Sequence, residues 1–586
     1  MCTKEKDCKI DWVIIFSLIA IGLILRWFDL DVRPLHHDES LHAIYGKYFH
    51  DNPSWGFYKY SPILHGPLLY NLLPYVYEVL GQTKFAARFL SAFLGSLFLF
   101  APLLFRAYLN RISLITLTGL LALAPAFTYW ARFIRHDFFV ILCLLIMLYG
   151  YFCAPSKYKS YFIVIALALQ ATAMENIYIT LVLLLGYLIF EFSFCRLTSL
   201  KKGPTLVQEL HANIREYPFS LVWATMIAIF IYVYFYTAGF RWSEGIWHGV
   251  FPDGLTYWVG QHSIERIAGP FSFQFLILTF YEPVFMCLLA THMLYFYRRK
   301  GKKFCIPFLV AVMMAVLLHL ATRGQDIATI PMWNFFKLKI FLDFYILFIV
   351  PIHAVLVTIA HLLEEKKHLA FFGYFFFASF FTFSYAGEKV PWLSMYIFVP
   401  GCIYLILFFQ DLDLQLPLGD LALAGILAGF FLLRINIMTN FTFSGKTNEL
   451  IGQVHTSSVY ENALFKIKDQ IINPFDRPVV SLFADGENTW PTSWYFFGMK
   501  EFSYIRDSRK LNEFDYVLSK AGNAEFDTAL LATHHKISIP LRHWWVPEYR
   551  DMTWKNFALY LLAHKPWNSP GQMDVVLYTR KFKVVE

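Results

Sequence analysis

A series of apolar runs of roughly 16–25 residues constrains this chain most, because that is the length of helix that crosses about 30 Å of hydrocarbon. They begin near residues 12, 87, 113, 138, 160, 177, 219, 272, 304, 341, 369, 392 and 419. Inside a bilayer every backbone N–H and C=O must find a partner within the protein, which only helices and closed barrels achieve. The runs therefore predict a polytopic α-helical membrane protein of about 13 transmembrane helices. Bulk composition agrees: 57% of residues are hydrophobic, 62 are Phe, 35 are Tyr and only 16% are charged, far from the balance of a soluble domain.

Lys and Arg in the short loops orient the chain. With Lys4, Lys6 and Lys9 cytoplasmic, the inner loops hold Arg106 and Arg111, Lys157 and Lys159, Arg196 with Lys201 and Lys202, the basic stretch 298–303, and Lys366-Lys367. The count holds only if the moderately apolar stretch 62–80, rich in Tyr, Pro and Asn, lies at the outer interface as an amphipathic helix rather than crossing. No small-residue cleavage site follows the first apolar run, so that run reads as a retained first span. An odd number of spans then puts the tail outside.

Two domains are expected. Residues 1–438 form the transmembrane module, including a first extracytoplasmic loop at 29–86, and residues 439–586 form a soluble extracytoplasmic α/β domain. The tail's strand-like runs at 479–483, 515–518 and 575–578 alternate with helical and turn segments. Much of the excess behind the net charge of +8 sits in short clusters beside apolar runs, an orientation signal more than a nucleic-acid surface, and no nucleic-acid partner is expected. The chain has no cysteine beyond Cys402, so the tail carries no disulfide framework.

On this topology the polar chemistry collects on the outer face: His36-His37-Asp38-Glu39, His65, Arg132, Arg135, Asp137, Glu175, Arg241, Glu265, Arg266, Asp326, Glu388 and Lys389. A charge at mid-bilayer costs about 2.5–3.5 kcal/mol, so span ends are where charges belong in any case. The grouping of carboxylate, guanidinium and imidazole in one layer is the more telling feature. Adjacent residues on a helix point about 100° apart, so Asp38 and Glu39 serve different purposes. One can face a reaction while the other holds a partner; equally, the pair reads as the acidic first turn of an interfacial helix, which the helix dipole favours.

Four stretches in order carry a family resemblance: Asp38-Glu39 after the first span, His65-Gly66-Pro67-Leu68, Arg88-Phe89-Leu90-Ser91-Ala92, and Tyr129-Trp130-Ala131-Arg132-Phe133-Ile134-Arg135-His136-Asp137. They resemble the C-type (GT-C) membrane glycosyltransferases, in the branch of the protein O-mannosyltransferases and lipid A aminoarabinose transferases. A fifth stretch, Tyr385-Ala386-Gly387-Glu388-Lys389-Val390-Pro391-Trp392-Leu393, resembles a motif of the subgroup named flippase activity-associated protein.

The resemblance implies a hexosyl- or pentosyltransferase that moves a sugar, with inversion, from a polyprenyl-phosphate donor to a hydroxyl of an envelope lipid, glycan or protein. It implies a cytoplasmic-membrane enzyme whose site faces the periplasm or exterior, with Asp38 as general base. Inverting transfer needs one carboxylate to take the acceptor's proton. A phosphate leaving group needs cations, not a general acid. The candidates for holding phosphate are Arg132, Arg135 and Lys389, which can equally pair with Asp137 and Glu388. His65 can meet a sugar hydroxyl or phosphate, Glu39 positions the acceptor or orients the loop, and Glu175 pairs with Arg132 or Arg135.

His36, His37, His42 and His65 could supply metal ligands, but their spacing matches no chelating motif. No metal or other cofactor is expected. Trp544-Trp545 is followed by Val546 and Pro547, not the Asp of the oligosaccharyltransferase signature, which disfavours whole-oligosaccharide transfer. Both Trp544-Trp545 and the stretch 485–490 could stack on sugars, in a non-enzymatic scaffold whose tail binds glycan, or serve as ordinary core. The competing reading is a transporter or flippase component for lipid-linked sugars. Transporters show polar or broken helices at the midplane, whereas these spans are apolar through their middles.

Overall fold

The structure is a computed structural model of the 586-residue chain, described for residues 3–51, 57–198, 203–261, 269–323, 342–412, 417–472, 481–484, 489–503, 508–548 and 551–581. Glu265, Arg266, Asp326, residues 479–480 and residues 485–488 lie outside the described residues. All thirteen apolar runs carry helix. Among the described residues, seven helices are long and apolar enough to cross a membrane, or up to nine if each of two bent pairs is one span. Others are shorter, such as Asp137–Phe152 with 16 residues and Lys159–Ala173 with 15.

The difference from an even series of spans has a local cause at the bent pairs. Arg111–Leu123 meets Pro125–Ala131 at 56°, and Phe273–Tyr281 meets Pro283–Lys300 at 113°. Each second helix opens on proline, which has no N–H to continue the preceding ladder. Side chains satisfy the broken backbone. Asn436 donates to Leu123 O at 3.1 Å and to Thr128 Oγ1 at 2.9 Å. Glu282, at the second bend, accepts the Ala126 amide at 2.8 Å and ties one bend to the other.

The four N-terminal helices are α1 (Thr3–Trp27), α2 (His37–Asp51), α3 (Leu68–Leu80) and α4 (Lys84–Leu97). The stretch 62–80 contains a turn closed by a bridge between Ser61 and His65, then α3. With 13 residues, α3 is about 20 Å long, too short for the hydrocarbon. It buries Leu69, Tyr70, Leu73 and Tyr77 and exposes Tyr75 and Val79, the two-faced pattern of an interfacial helix.

The tail holds a six-stranded mixed sheet in the order β1-β5-β6-β4-β2-β3. Its strands are β1 (His455–Thr456), β2 (Leu482–Ala484), β3 (Phe502–Ser503), β4 (Tyr516–Lys520), β5 (His534–Trp544) and β6 (Gly571–Arg580). Three of them fall on the strand-like runs; the long β5 does not. Trp545 is fully buried, stacked on Tyr560 with centroids 4.7 Å apart, and its indole donates to Asn568 at 2.9 Å. It is core, not an open sugar platform.

The sheet domain packs on α2, α4 and the segment that leads into α2. Lys84 pairs with Glu461 at 2.8 Å. Lys47 donates to Trp494 O at 3.0 Å and lies 4.0 Å above that indole ring. The Thr456 hydroxyl donates to Leu35 O at 2.8 Å, joining β1 to the segment that leads into α2.

Candidate active site

Glu39 and Arg88 fix the loop that carries Asp38. Both are fully buried. The carboxylate accepts Arg88 Nε at 2.8 Å and another of its guanidinium nitrogens at 2.7 Å. It also accepts the His36 amide at 3.0 Å and the Ile134 amide at 3.2 Å. Arg88 in turn donates to the carbonyls of Leu30, Arg33 and Pro34 at 2.9, 3.0 and 3.2 Å. Burial pushes the Glu39 carboxyl up, but Arg88, Arg33 and these hydrogen bonds outweigh it and hold the group at about 2. Of the two roles expected for Glu39, this geometry is that of orienting the loop: both oxygens are occupied by the protein.

Asp38 occupies the first turn of α2 and points the other way. Its side chain is 25% exposed, against 0% for Glu39, 1% for Asp137 and 4% for Glu175. His37 Nδ1 lies 3.0 Å from it and an Arg135 nitrogen 3.5 Å. Burial raises its pKa, while the His37 hydrogen bond and the charges of His36, His37 and Arg135 pull it well below the usual carboxylate range. His36 Nδ1 accepts the Asp38 amide at 3.1 Å, and burial holds that imidazole down at about 4.

Arg135 joins Asp38 to Asp137. Its Nε donates to Asp137 at 2.9 Å and its guanidinium lies 3.8 Å from the Trp392 ring centroid. Asp137's other oxygen accepts the Tyr396 hydroxyl at 2.9 Å. The Arg135 side chain is thus held by Asp137 and Trp392 while its Nη1 lies 3.5 Å from Asp38.

Beside this lies an imidazole cluster. His65, with φ of 68°, donates from Nδ1 to Glu175 at 2.8 Å and stacks on Trp258 with planes 7° apart. Tyr60 donates to the other Glu175 oxygen at 2.7 Å. Glu175 therefore pairs with His65 and Tyr60 rather than with the expected Arg132 or Arg135. His136 lies 5.1 Å from His42 and 5.4 Å from His65 by ring centroids. Both of its ring nitrogens are buried with no partner among the described residues.

Two expected phosphate holders have other work. Arg132 donates to the carbonyls of Leu25, Arg26, Phe28 and Asp29 at 3.1, 3.2, 2.6 and 2.7 Å. It caps the C-terminal end of α1, where a cation meets the negative end of the dipole, and so differs from the phosphate role read for it. Lys389 Nζ lies 2.5 Å from Ser384 O and from Ala386 O, at the end of the helix Lys367–Tyr385. Glu388 is half-buried, and its charge acts on Arg135. Of the residues singled out from sequence, the fold brings Asp38, Glu39, Arg135 and Asp137 together, sets His65 and Glu175 beside them, and turns Arg132 away.

Sequence reasoning passed over Arg33, Arg88, His136 and Tyr396 as site residues. Arg88 and His136 stood inside the quoted motifs, and that was their only signal. For a metal, His36, His37 and Asp38 bring one ligand atom each within 4.8 Å of one another. Those atoms already bond to each other and to the Asp38 amide, bonds that a cation would have to displace.

No family model matches the chain, and no curated protein matches it. Among solved structures it is similar to ArnT from Cupriavidus metallidurans in the apo state, at 13% identity and TM-score 0.45, covering 91% of this chain and 97% of that one. The same protein bound to undecaprenyl phosphate aligns at 11% identity and TM-score 0.44, covering 97% of each chain. An Archaeoglobus fulgidus oligosaccharyltransferase tethered to an acceptor peptide aligns at 13% identity and TM-score 0.43, covering 83% of this chain and 62% of that one. Chemistry does not transfer over such distances; the chain's own side chains must supply it.

Proposed function

We propose that this chain is an integral-membrane, inverting glycosyltransferase that uses a polyprenyl-phosphate sugar at the extracytoplasmic face. One observation carries the reading: of the four carboxylates Asp38, Glu39, Asp137 and Glu175, Asp38 alone keeps an open side. The others are held closed by Arg88, Arg135, Tyr396, His65 and Tyr60. A closed shell of carboxylates around one available carboxylate suits a general base set in a rigid frame.

The acceptor hydroxyl attacks the anomeric carbon from the side opposite the phosphate. The C–O bond to the acceptor forms as the C–O bond to phosphate breaks, with inversion. The electron pair leaves on the lipid phosphate, and the acceptor's proton passes to Asp38. The transition state is oxocarbenium-like, and a carboxylate with a depressed pKa stabilises that positive charge while remaining ionised. Arg135 holds the Asp38 carboxylate in place, and the motif resemblance supports the donor class. The acceptor is a hydroxyl of an envelope lipid, glycan or protein.

The test is Asp38→Asn in full-length protein reconstituted into liposomes with polyprenyl-phosphate sugars. Turnover should fall by roughly 100–10,000-fold, the range for loss of a general base. Undiminished transfer would remove Asp38 from that role. Movement of labelled lipid-linked sugar across the bilayer without glycosidic product would replace the enzyme with a transporter.

A further inference from the structure

The C-terminal domain brings one cation to the catalytic loop. Arg542 lies on β5, in register with Thr456 of β1, and Thr456 bonds to Leu35 O, three residues before Asp38. The β5–β6 ladder slips its register between Pro540 and Arg542. Such a bulge re-aims a side chain, and bulges recur beside active sites. Arg542 donates to Trp490 O at 3.1 Å. Its Nε is buried with no partner among the described residues. Its charge acts on both Asp38 and His36.

Three more buried polar atoms along the same seam have no partner among the described residues: Arg33 Nε, Tyr129 Oη and His455 Nε2. They are neighbours. Arg33 lies 4.2 Å from the Tyr129 ring centroid, and the Tyr129 and His455 rings are 6.3 Å apart. A Cβ at Gly452 would fall 1.4 Å from His455 Nε2, so glycine makes the room this ring occupies. Buried donors without acceptors are rare and call for an explanation. A guanidinium, a phenol and an imidazole, each with a spare polar atom along one seam, suit a phosphate, which offers several acceptor oxygens and negative charge. Arg88 is engaged by Glu39, Arg132 by carbonyls and Arg135 by Asp137, while Arg33 meets Glu39 and the Arg132 carbonyl through Nη2 and keeps Nε for a ligand.

The geometry points to Arg542, backed by Arg33, as the residue that holds the phosphate of the lipid-linked donor, which makes the C-terminal domain a wall of the active site. This rests on the glycosyl-transfer reading above. The leaving lipid phosphate is received at the seam between the two parts of the chain, and Asp38 works on the acceptor side.

Full-length protein in lipid nanodiscs, with decaprenyl phosphate as the probe and tryptophan fluorescence as the readout, tests the assignment. Arg542→Gln should weaken binding by roughly 10–100-fold, the worth of a charged hydrogen bond. Arg542→Lys, which keeps the charge and loses the fork, should fall between it and the native protein. Native-like binding by Arg542→Gln with an unchanged melting midpoint overturns the assignment and leaves the lipid-phosphate reading standing. If Arg542→Gln fails to fold, Arg542→Lys decides: binding equal to the native protein overturns the assignment, and weaker binding upholds it. Failure of the native protein to bind decaprenyl phosphate removes both.

Discussion

Two adjacent carboxylates, Asp38 and Glu39, end in opposite circumstances because one finds an arginine inside the protein and the other faces an opening. Their adjacency was legible in the sequence, and so was the division of labour that a helix imposes. Arg88 as the partner was not, because 49 residues separate it from Glu39 and only the packing of α4 against the loop brings them together. Glu39→Gln leaves a buried guanidinium without its counter-charge and should cost about 3–5 kcal/mol, read as a fall in denaturation midpoint in detergent. Glu39 has a depressed folded pKa, near 2 against an ordinary 4.5. Its stabilisation is therefore fully present above about pH 4.5 and is lost as pH falls through 2, a change of roughly 3 kcal/mol. Asp38, also depressed, stays ionised well into acid. The acid limb of kcat/KM should therefore lie below the ordinary carboxylate value of 3.8. A limb centred near neutrality would mean that some other group is the base.

At the level of elements, every one of the thirteen apolar runs carries helix, because a bilayer demands continuous apolar stretches. Hydropathy did not show the breaks. Pro125 interrupts a run that stays apolar across the bend, and at Pro283 a single Glu282 marks it; a hydropathy window averages over both the missing N–H and the lone charge. The strand β5 escaped for the opposite reason: its sequence HHKISIPLRHW is polar at the end that meets the loop. The turn before α3 shows how tightly elements approach here. A Cβ on Gly66 would lie 2.2 Å from Thr172 O, where the Gly66 amide already donates to Ala173 O at 3.2 Å. Gly66→Ala should cost about 1–3 kcal/mol from overpacking and lower activity by shifting His65 off Glu175. Melting curves and turnover measured together check both halves.

For the whole molecule, charge asymmetry among the loops was enough to propose an orientation, since positive-inside is a rule about composition. The meeting of tail and first loop was not readable: Thr456 and Leu35 are 421 residues apart, and nothing local in either segment names the other. The proposed topology has a direct check in a cysteine-free background. Glu525→Cys, exposed on the tail domain, should react with a membrane-impermeant maleimide applied to intact spheroplasts. Lys302→Cys, exposed in the basic inner loop, should react only after lysis. The reverse pattern would invert the molecule and put Asp38 in the cytoplasm.

The 113° bend between Phe273–Tyr281 and Pro283–Lys300 lays the shorter arm nearly flat when the longer arm follows the bilayer normal. On the proposed topology α3 lies at the interface, which puts the proposed chemistry at headgroup depth. A lipid-tethered donor reaches such a depth by travelling sideways within one leaflet, so its encounter with the enzyme is two-dimensional. Its supply is set by mole fraction among the lipids, not by moles per litre. Inert phospholipid added at constant total donor would slow transfer by dilution in the plane. A water-soluble acceptor would obey the ordinary volume law, and a lipid acceptor would obey the planar one.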